Sequence, residues 1–366
     1  MPENNIVTLL VNGEKFSWWQ TVRISASVLN VSRSFSVSLT RDLTHDDGLP
    51  VKPGDEVEVL IGEDLVLSGY ITKVSISYDS RATTITVNGS SYTIDLVECC
   101  LPLSVPHSFK QTTVGDGLAK LASSYGVEVA DEVGVSDSLD LNVSPVEKIK
   151  SVIDKLIKSQ TVLICDNERG QLLITEPGWR GASYDTLKTG VNILKGTREV
   201  DWSKVYSSYV VIGESPNPGS ESTPADHQKS VSAEDWEVRT RVLVTAMDDS
   251  PTIATMTKRA MILKDFSKGS SEKLVYTVQG WRQSNGELWQ VNRLTQVKDG
   301  ITDVFGEYLI TAVTYELGPQ GTTTRLELMH PHALLNTEFK SSKDAVKKSL
   351  GFKKKGKTEN ADWTTT

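Results

Sequence analysis

The chain has 366 residues and a mass of 40.2 kDa, which exceeds one ordinary hydrophobic core and predicts about two to four domains. Hydrophobic residues make up 38% and charged residues 23%, a globular composition that excludes broad disorder. The net charge is −8, and residues 331–366 carry +4, so the remaining body carries −12. A body this acidic argues against a nucleic-acid-binding protein, which needs clustered Lys and Arg.

Residues 1–98 predict a first antiparallel β-barrel domain, because short alternating strands follow one another between turn signals. Asn12-Gly13 and Asn88-Gly89 each follow an alternating run and indicate hairpin turns, since both residue types tolerate positive φ angles. Residues 41–54, with two prolines, predict a polar loop that interrupts the sheet.

Residues 99–198 predict a small α+β domain. Thr113 is placed to cap a helix that stops at Gly126. The stretch 144–147, Ser-Pro-Val-Glu, combines a capping box with proline at the first helical position, and predicts a second helix. A hairpin is expected over 162–174, about a turn at 167–170.

Residues 199–330 predict a second β-barrel domain with a helical insertion around 246–270. Its strands are expected over 205–212 and 274–278, and again over 288–291 after a turn at Asn285-Gly286. The polar stretch 214–228 predicts an exposed loop, and the lysine-rich residues 331–366 predict a flexible tail. The predicted fold class is therefore β-rich α+β, multidomain, with two similar barrels.

The two predicted barrels share a short pattern. Residues 71–74 read Ile-Thr-Lys-Val and residues 310–313 read Ile-Thr-Ala-Val, and each is followed by a strand that begins with threonines. We match Ile85 to Leu326, at spacings of 14 and 16 from the first isoleucine. Such a pattern also arises freely in any alternating strand. If it reflects duplication, three chains would present six near-equivalent units and could adapt three-fold to six-fold symmetry.

The sequence carries no recognisable catalytic motif: GxSxG, GxxxxGK[ST], HExxH and CxxC are all missing. His330 and His332 would face one side of a strand, but the intervening proline indicates a strand end and argues against a metal site. Cys99, Cys100 and Cys165 have no metal-ligand spacing and are interpreted as free thiols. We therefore expect no enzyme activity, no cofactor and no metal.

Aromatic residues and acid pairs leave an alternative open. The pairs at 46–47 and 248–249 could serve a glycosidase, and exposed tryptophans could stack on sugars. Turn and helix-cap roles explain the acid pairs better. We interpret Trp281, Trp289, Trp202 and Tyr70 as core or subunit-interface anchors. A carbohydrate-binding or carbohydrate-cleaving tail protein remains the alternative hypothesis.

Several stretches together resemble the central baseplate hub family of Mu-like contractile-tailed bacteriophages. They are the tryptophan pair at 18–19 and the stretches 67–71, 85–97, 209–213 and 280–289, of which the last, Gly-Trp-Arg-Gln-Ser-Asn-Gly-Glu-Leu-Trp, is the strongest. More distantly the chain resembles phage late-control D proteins and the hub-like front half of type VI secretion spikes. Residues 89–91 lack an expected basic residue, and the tail beyond 335 matches nothing firm.

The resemblance implies a non-enzymatic homotrimeric ring with pseudo-six-fold symmetry. Such a ring would lie in the virion, between the six-fold tail tube and the three-fold spike, after assembly in the host cytoplasm. The implied partners are the spike trimer, tube-initiating proteins and surrounding baseplate proteins. DNA would pass through the lumen without specific binding, and we expect acidic residues to line that lumen.

Overall fold

The computed structural model describes residues 5–42, 50–136, 138–159, 162–214, 228–247, 253–331 and 334. Almost all of the predicted flexible tail, most of the predicted loop at 214–228 and both acid pairs lie outside these residues. Within the described part of the chain, no helix is long and apolar enough to cross a membrane.

Seven antiparallel strands form the first part of a large sheet, in the order β3-β4-β7-β6-β5-β1-β2. These strands are β1 (Val7–Val11), β2 (Glu14–Phe16), β3 (Thr21–Ser27), β4 (Ser34–Asp42), β5 (Glu56–Ile61), β6 (Asp64–Tyr78) and β7 (Ala82–Ser91). Alternate residues such as Val57, Val59 and Ile61 are buried, as the period of two requires.

The middle of the chain has its own core, with two small sheets, β8-β10 and β11-β12-β9. Its elements are α1 (Ile94–Glu98), β8 (Ser108–Thr112), α2 (Val114–Ala122), β9 (Val129–Asp131), β10 (Leu139–Asn142), α3 (Ile149–Ser159), β11 (Leu163–Asp166) and β12 (Leu172–Thr175). Thr113 caps α2 by accepting from the Asp116 amide at 3.1 Å, and Gly126 ends the following turn with φ 68°. The Thr113 helix cap and the hairpin are confirmed.

The C-terminal half adds six strands to the large sheet and one separate three-stranded sheet, β16-β15-β17, against which α4 packs. The elements are β13 (Leu187–Lys188), β14 (Ile193–Val200), β15 (Ser208–Glu214), β16 (Gln228–Glu234), β17 (Val242–Met247), α4 (Ile253–Ser270), β18 (Glu272–Gln279), β19 (Leu294–Asp299), β20 (Val304–Gly318) and β21 (Gly321–Met329). The large sheet thus reaches back to residue 187, before the predicted domain boundary at 198.

The two halves of the large sheet have the same strand order. The first half runs β3-β4-β7-β6-β5-β1 and the second runs β14-β18-β21-β20-β19-β13. They differ at the far end, where β13 is parallel to β19 while β1 is antiparallel to β5. Pairing of β3 with β20 joins the halves into one sheet of 13 strands. No strand ladder among the described residues closes either half, although an isolated bridge joins Thr189 to Ile193 between the ends of the second half. The two-barrel arrangement therefore stays a prediction.

The repeated Ile-Thr-x-Val pattern occupies the same structural position in both halves. Each threonine lies at a register shift between the two long strands of a hairpin. The Thr72 hydroxyl donates to the carbonyl of Asn88 at 3.3 Å, and the Thr311 hydroxyl donates to that of Glu327 at 3.1 Å. Val74 pairs with Val87, and Val313 pairs with Leu326. The residue number in β20 or β21 is therefore always 239 higher than that of the equivalent residue in β6 or β7. Leu326 therefore corresponds to Val87, and matching it to Ile85 was wrong.

Three local predictions are corrected. Asn88-Gly89 is not a turn but lies inside β7, because Gly89 makes room for a close approach: a Cβ there would lie 2.3 Å from the Phe35 ring. Residues 289–293 are not a strand. The helix announced by the capping box begins at Ile149, although the Ser144 amide does donate to the Glu147 carboxylate at 3.4 Å.

Candidate assembly surfaces

Trp281 and Trp289, two of the predicted anchors, lie in the core of this chain. Their exposed fractions are 0% and 2%. The Trp281 indole N–H donates to the carbonyls of Glu316 and Thr323, each at 3.1 Å, and the Tyr315 hydroxyl donates to the Trp289 carbonyl. The Trp281 indole and the Trp289 carbonyl therefore fasten the loop after β18 onto the β20–β21 hairpin.

Trp202 and Tyr70 occupy other places. Trp202 is 47% exposed and lines a surface cavity of about 430 Å³ together with Arg198 and His330. The Tyr70 ring is half-buried and meets the ring of Tyr92 edge-on, with centroids 4.9 Å apart. The four predicted anchors are thus not brought together into one site.

The joint between β3 and β20 is an interface inside one chain. Six residue pairs connect the strands, from Ala312 opposite Ser27 to Leu317 opposite Val22. The Ser25 and Thr314 hydroxyl oxygens lie 3.3 Å apart across this joint. Main-chain hydrogen bonds and a buried apolar face together make the joint continuous with the sheet core.

The second half of β6 has a free edge. Up to residue 71, β6 has β5 on one side and β7 on the other, but residues 73–78 pair with β7 alone within the described chain. We call residues 73–78 the β6 edge. Ile76 and Tyr78 on this edge are 61% and 80% exposed. Large exposed apolar side chains on an unpaired strand edge are typical of a surface that another strand covers.

Strand β14 has the second free edge. Within the described residues this strand pairs along its length with β18 alone. Every residue from Leu194 to Val200 is exposed, and these two apolar side chains are 57% and 53% exposed. We call residues 195–200 the β14 edge. The sequence analysis missed both edges, although the apolar alternation of Val74, Ile76 and Tyr78 was visible.

A buried ionic cluster joins the first half of the sheet to the middle domain. Arg33 contacts Asp166 at 3.1 Å and Glu168 at 3.0 Å, and Arg180 donates to both oxygens of Glu168 at 2.8 and 2.9 Å. Burial acts to raise the pKa of Glu168, but Arg33 and Arg180 outweigh it and hold that pKa well below its usual range. Burial raises the pKa of Asp166 in the same cluster despite its contacts with Arg33. The cluster fixes the geometry between the first half of the sheet and the middle domain.

The described residues offer little chemistry beyond this. No group of three or more potential metal ligands occurs among them. The ring of His330 meets that of Tyr308 edge-on at 5.9 Å, while His332 lies outside the described residues. Burial raises the pKa of the Cys165 thiol to about 12, so this sulfur is a poor nucleophile at neutral pH.

Three family models match successive parts of the chain. They are the N-terminal domain of Mu phage baseplate assembly protein GpP-like at residues 6–91, the second domain of baseplate hub protein gp44-like at 93–176, and the fourth domain of GpP at 253–337. Baseplate hub protein gp44 of Escherichia phage Mu is 27% identical over 339 residues, which are 89% of this chain and 88% of that protein. Three domain types of Mu-type baseplate hub proteins are therefore matched along this chain.

Solved structures support the same fold. The 43 kDa tail protein of prophage MuSo2 from Shewanella oneidensis has a TM-score of 0.82 at 24% identity, over 90% of this chain and 100% of that one. A tail protein from Neisseria meningitidis has a TM-score of 0.76 at 20% identity, over 90% and 98%. A type VI secretion component of E. coli has a TM-score of 0.56 at 11% identity, over 88% and 76%. The mostly β hub fold is thus shared between phage tails and type VI systems.

Proposed function

We propose that this baseplate hub protein forms a homotrimeric ring that adapts the six-fold tail tube to the three-fold spike. The observation that carries the proposal is the shared strand order of the two sheet halves. Each chain contributes two similar units, so three chains contribute six. A ring of this kind has one face suited to each symmetry.

The same proposal assigns the partners: the spike trimer, tube-initiating proteins and neighbouring baseplate proteins, in the tail of the virion. It is supported by the hub name of the phage Mu relative and by fold similarity to a Francisella PdpA-VgrG complex, with a TM-score of 0.55 over 91% of this chain and 53% of that one. Assembly would take place in the host cytoplasm.

DNA passage through the ring is the second part of the proposal. The body charge of −12 would repel the phosphate backbone, and DNA would move through the lumen without sticking. A structure of the assembled ring tests this directly. A lumen lined mainly by Lys and Arg would contradict the proposal that DNA passes without sticking.

A carbohydrate-binding or carbohydrate-cleaving role is the weaker candidate. Trp281 and Trp289 are buried in the core and cannot stack on a sugar. A sugar platform would have to be built from the exposed tryptophans instead, which are Trp18, Trp179, Trp202 and Trp236. The relatives named above carry structural rather than enzymatic names, which supports a role without catalysis.

The test is the mass and shape of the full chain in solution. Light scattering should give three times the chain mass, and negative-stain images should show a ring with a central hole. The measurement is made on the chain alone and on the chain mixed with its spike protein. A monomer in both samples contradicts the ring, and a monomer that binds polysaccharide supports the alternative.

A further inference from the structure

The shared strand order gives the large sheet two equivalent pairs of strand edges, and only one of these pairs is joined within the chain. Within the chain β3 pairs with β20, and the shared strand order makes β14 the counterpart of β3 and β6 the counterpart of β20. The counterparts are the two strands with free edges. The unused pair therefore occupies the same positions in the sheet as the pair that already forms.

We propose that the β14 edge of one copy pairs antiparallel with the β6 edge of a second copy and repeats the joint between β3 and β20. This inference rests on the proposed ring and names the surface that builds it. Such a contact is head-to-tail, with different surfaces on the two copies, so it can continue around a ring.

The internal joint fixes the register of the proposed one. Residue numbers in β20 are 239 higher than those of the equivalent residues in β6. Gly196 of β14 corresponds to Val22 of β3, because Gly196 lies opposite Tyr276 and Val22 lies opposite Val37, and these two lie opposite the equivalent residues Leu326 and Val87. Transfer of the β3–β20 pairs gives the following opposed residues: Val74–Val200, Ser75–Glu199, Ile76–Arg198, Ser77–Thr197 and Tyr78–Gly196. The sixth pair, Ala312 with Ser27, transfers to Lys73 opposite Asp201, and these charges attract.

Hydrogen-bond direction agrees with this register. The Asp201 amide donates to Ser271 at 2.8 Å and the Asp79 amide donates to Ala82 at 3.0 Å, so both odd-numbered residues bond inside their own chain. In an antiparallel ladder alternate residues point to opposite sides. The main-chain groups that point outward therefore belong to even-numbered residues on both edges: 196, 198 and 200 on β14, and 74, 76 and 78 on β6. The transferred register places these groups opposite one another.

The side chains of β20 that lie beside β3 are more deeply buried than their counterparts on the β6 edge, as expected if the β6 edge lacks a neighbouring strand. Val313 and Tyr315 on β20, beside β3, are 1% and 6% exposed. Their counterparts Val74 and Ile76 are also apolar, but Ile76 is 61% exposed and Val74 is half-buried. The β6 edge thus has the apolar side chains of a covered strand without the cover. A second copy supplies that cover in the geometry that the chain already uses.

Disulfide trapping tests the pairing. In a background with Cys99→Ser and Cys100→Ser, the full chain carries Ser75→Cys with Glu199→Cys. This pair corresponds to Ser25 and Thr314, whose hydroxyl oxygens lie 3.3 Å apart, so oxidation should link the copies efficiently. We expect a reducible covalent trimer as the main product. Mixing the two single variants should yield dimers and no larger product.

Two controls make the result specific. Ser25→Cys with Thr314→Cys should form a disulfide within one chain and shows that the geometry is competent. Ser75→Cys with Arg198→Cys is displaced by one residue, which places the sulfurs on opposite faces, and should give only traces of product. Efficient linkage in this displaced pair, or dimers from Ser75→Cys alone, overturns the proposed pairing.

Light scattering on the same samples separates this inference from the proposed function. A trimeric mass without the Ser75–Glu199 linkage, while the internal control forms, rejects the strand pairing and leaves the ring standing. A monomer in the presence of the spike rejects both.

A proline variant gives an independent readout. The Ile76 amide points outward, so Ile76→Pro removes a hydrogen-bond donor from the proposed joint without breaking the β6–β7 ladder. We expect trimers to dissociate while the circular dichroism of the monomer is retained, and Ile76→Val should keep the trimer. An intact Ile76→Pro trimer contradicts the proposal.

Discussion

Asp299 shows how one buried carboxylate organises the end of β19. It is 2% exposed and accepts hydrogen bonds from the Thr189, Thr302 and Tyr276 hydroxyls and from the Ile301 amide. Burial acts to raise its pKa, but these donors outweigh that effect and lower the pKa to about 2. The charged form therefore stabilises the folded chain.

This carboxylate predicts an acid-dependent loss of stability. Because the folded pKa is depressed, the contribution is complete above about pH 4 and is lost as the pH falls towards about 2. Asp299→Asn lacks it, so the gap in unfolding free energy between wild type and variant should shrink by about 2 kcal/mol over that interval. Urea unfolding at a series of pH values measures the gap. A gap that does not change with pH contradicts this role.

At the scale of elements, the long hairpins depend on places where the backbone of one strand approaches another closely. A Cβ at Gly69 would lie 1.9 Å from the Ser90 carbonyl oxygen and 2.6 Å from the Ser91 Cα. Both contacts are with backbone, which cannot rotate away. The glycine in the stretch 67–71 is therefore required by the crossing of β6 with β7.

We predict that Gly69→Ala destabilises the chain by about 3 kcal/mol, because β6 must shift away from β7. Gly318→Ala is the matched control: the added Cβ meets nothing within 4 Å, and stability should change by less than about 0.5 kcal/mol. Thermal and urea unfolding of both variants provide the comparison. Equal stabilities would show that the hairpin tolerates the extra carbon.

The sequence predicted elements whose signals are local. Strands with alternating burial, the Thr113 cap and the α4 pattern all depend on neighbours within a few residues. Strand β14 has no such signal, because both of its faces are exposed in the single chain. The turn predicted at Asn88-Gly89 was wrong, because in sequence a glycine that permits a close approach cannot be told from a glycine that makes a turn.

The candidate surfaces could be predicted only in part. Aromatic anchors were visible in the sequence, but whether Trp281 or Trp202 is buried depends on strands far away along the chain. The free edges depend on which strands find a partner, and that is a property of the whole sheet. The shared pattern at 71–74 and 310–313 was the one sequence clue that led towards them.

At the scale of the whole molecule, the Arg33 cluster connects two cores. Arg33 and Asp166 have side chains that are 4% and 1% exposed, and Asp166 also accepts from the Arg33 amide at 2.8 Å. A buried charge that loses one of its partners is costly, because the surrounding protein cannot replace water. The cluster therefore couples the middle domain to the large sheet.

We predict that Asp166→Asn lowers the unfolding free energy by about 3 kcal/mol and separates the unfolding of the two cores. The control is Asp154→Asn, which breaks the half-exposed Lys150–Asp154 pair and should cost less than about 0.5 kcal/mol. Urea unfolding followed by both fluorescence and circular dichroism reports whether the transitions still coincide. Two variants of equal stability would mean that the cluster is not what couples the cores.

The pairing of β3 with β20 also determines when, during synthesis of the chain, the two halves of the large sheet can join. The six residues of β3 that enter this pairing are made by the ribosome almost 300 residues before their partners, since Ser25 and Thr314 are 289 positions apart. Throughout that interval the growing chain carries an open strand edge. Contacts of such long range make folding slow, and the joint between the two halves of the large sheet cannot form until β20 has been synthesised. A nascent chain that stops short of β20 therefore carries an unpaired β3 edge, which is open to pairing with other chains.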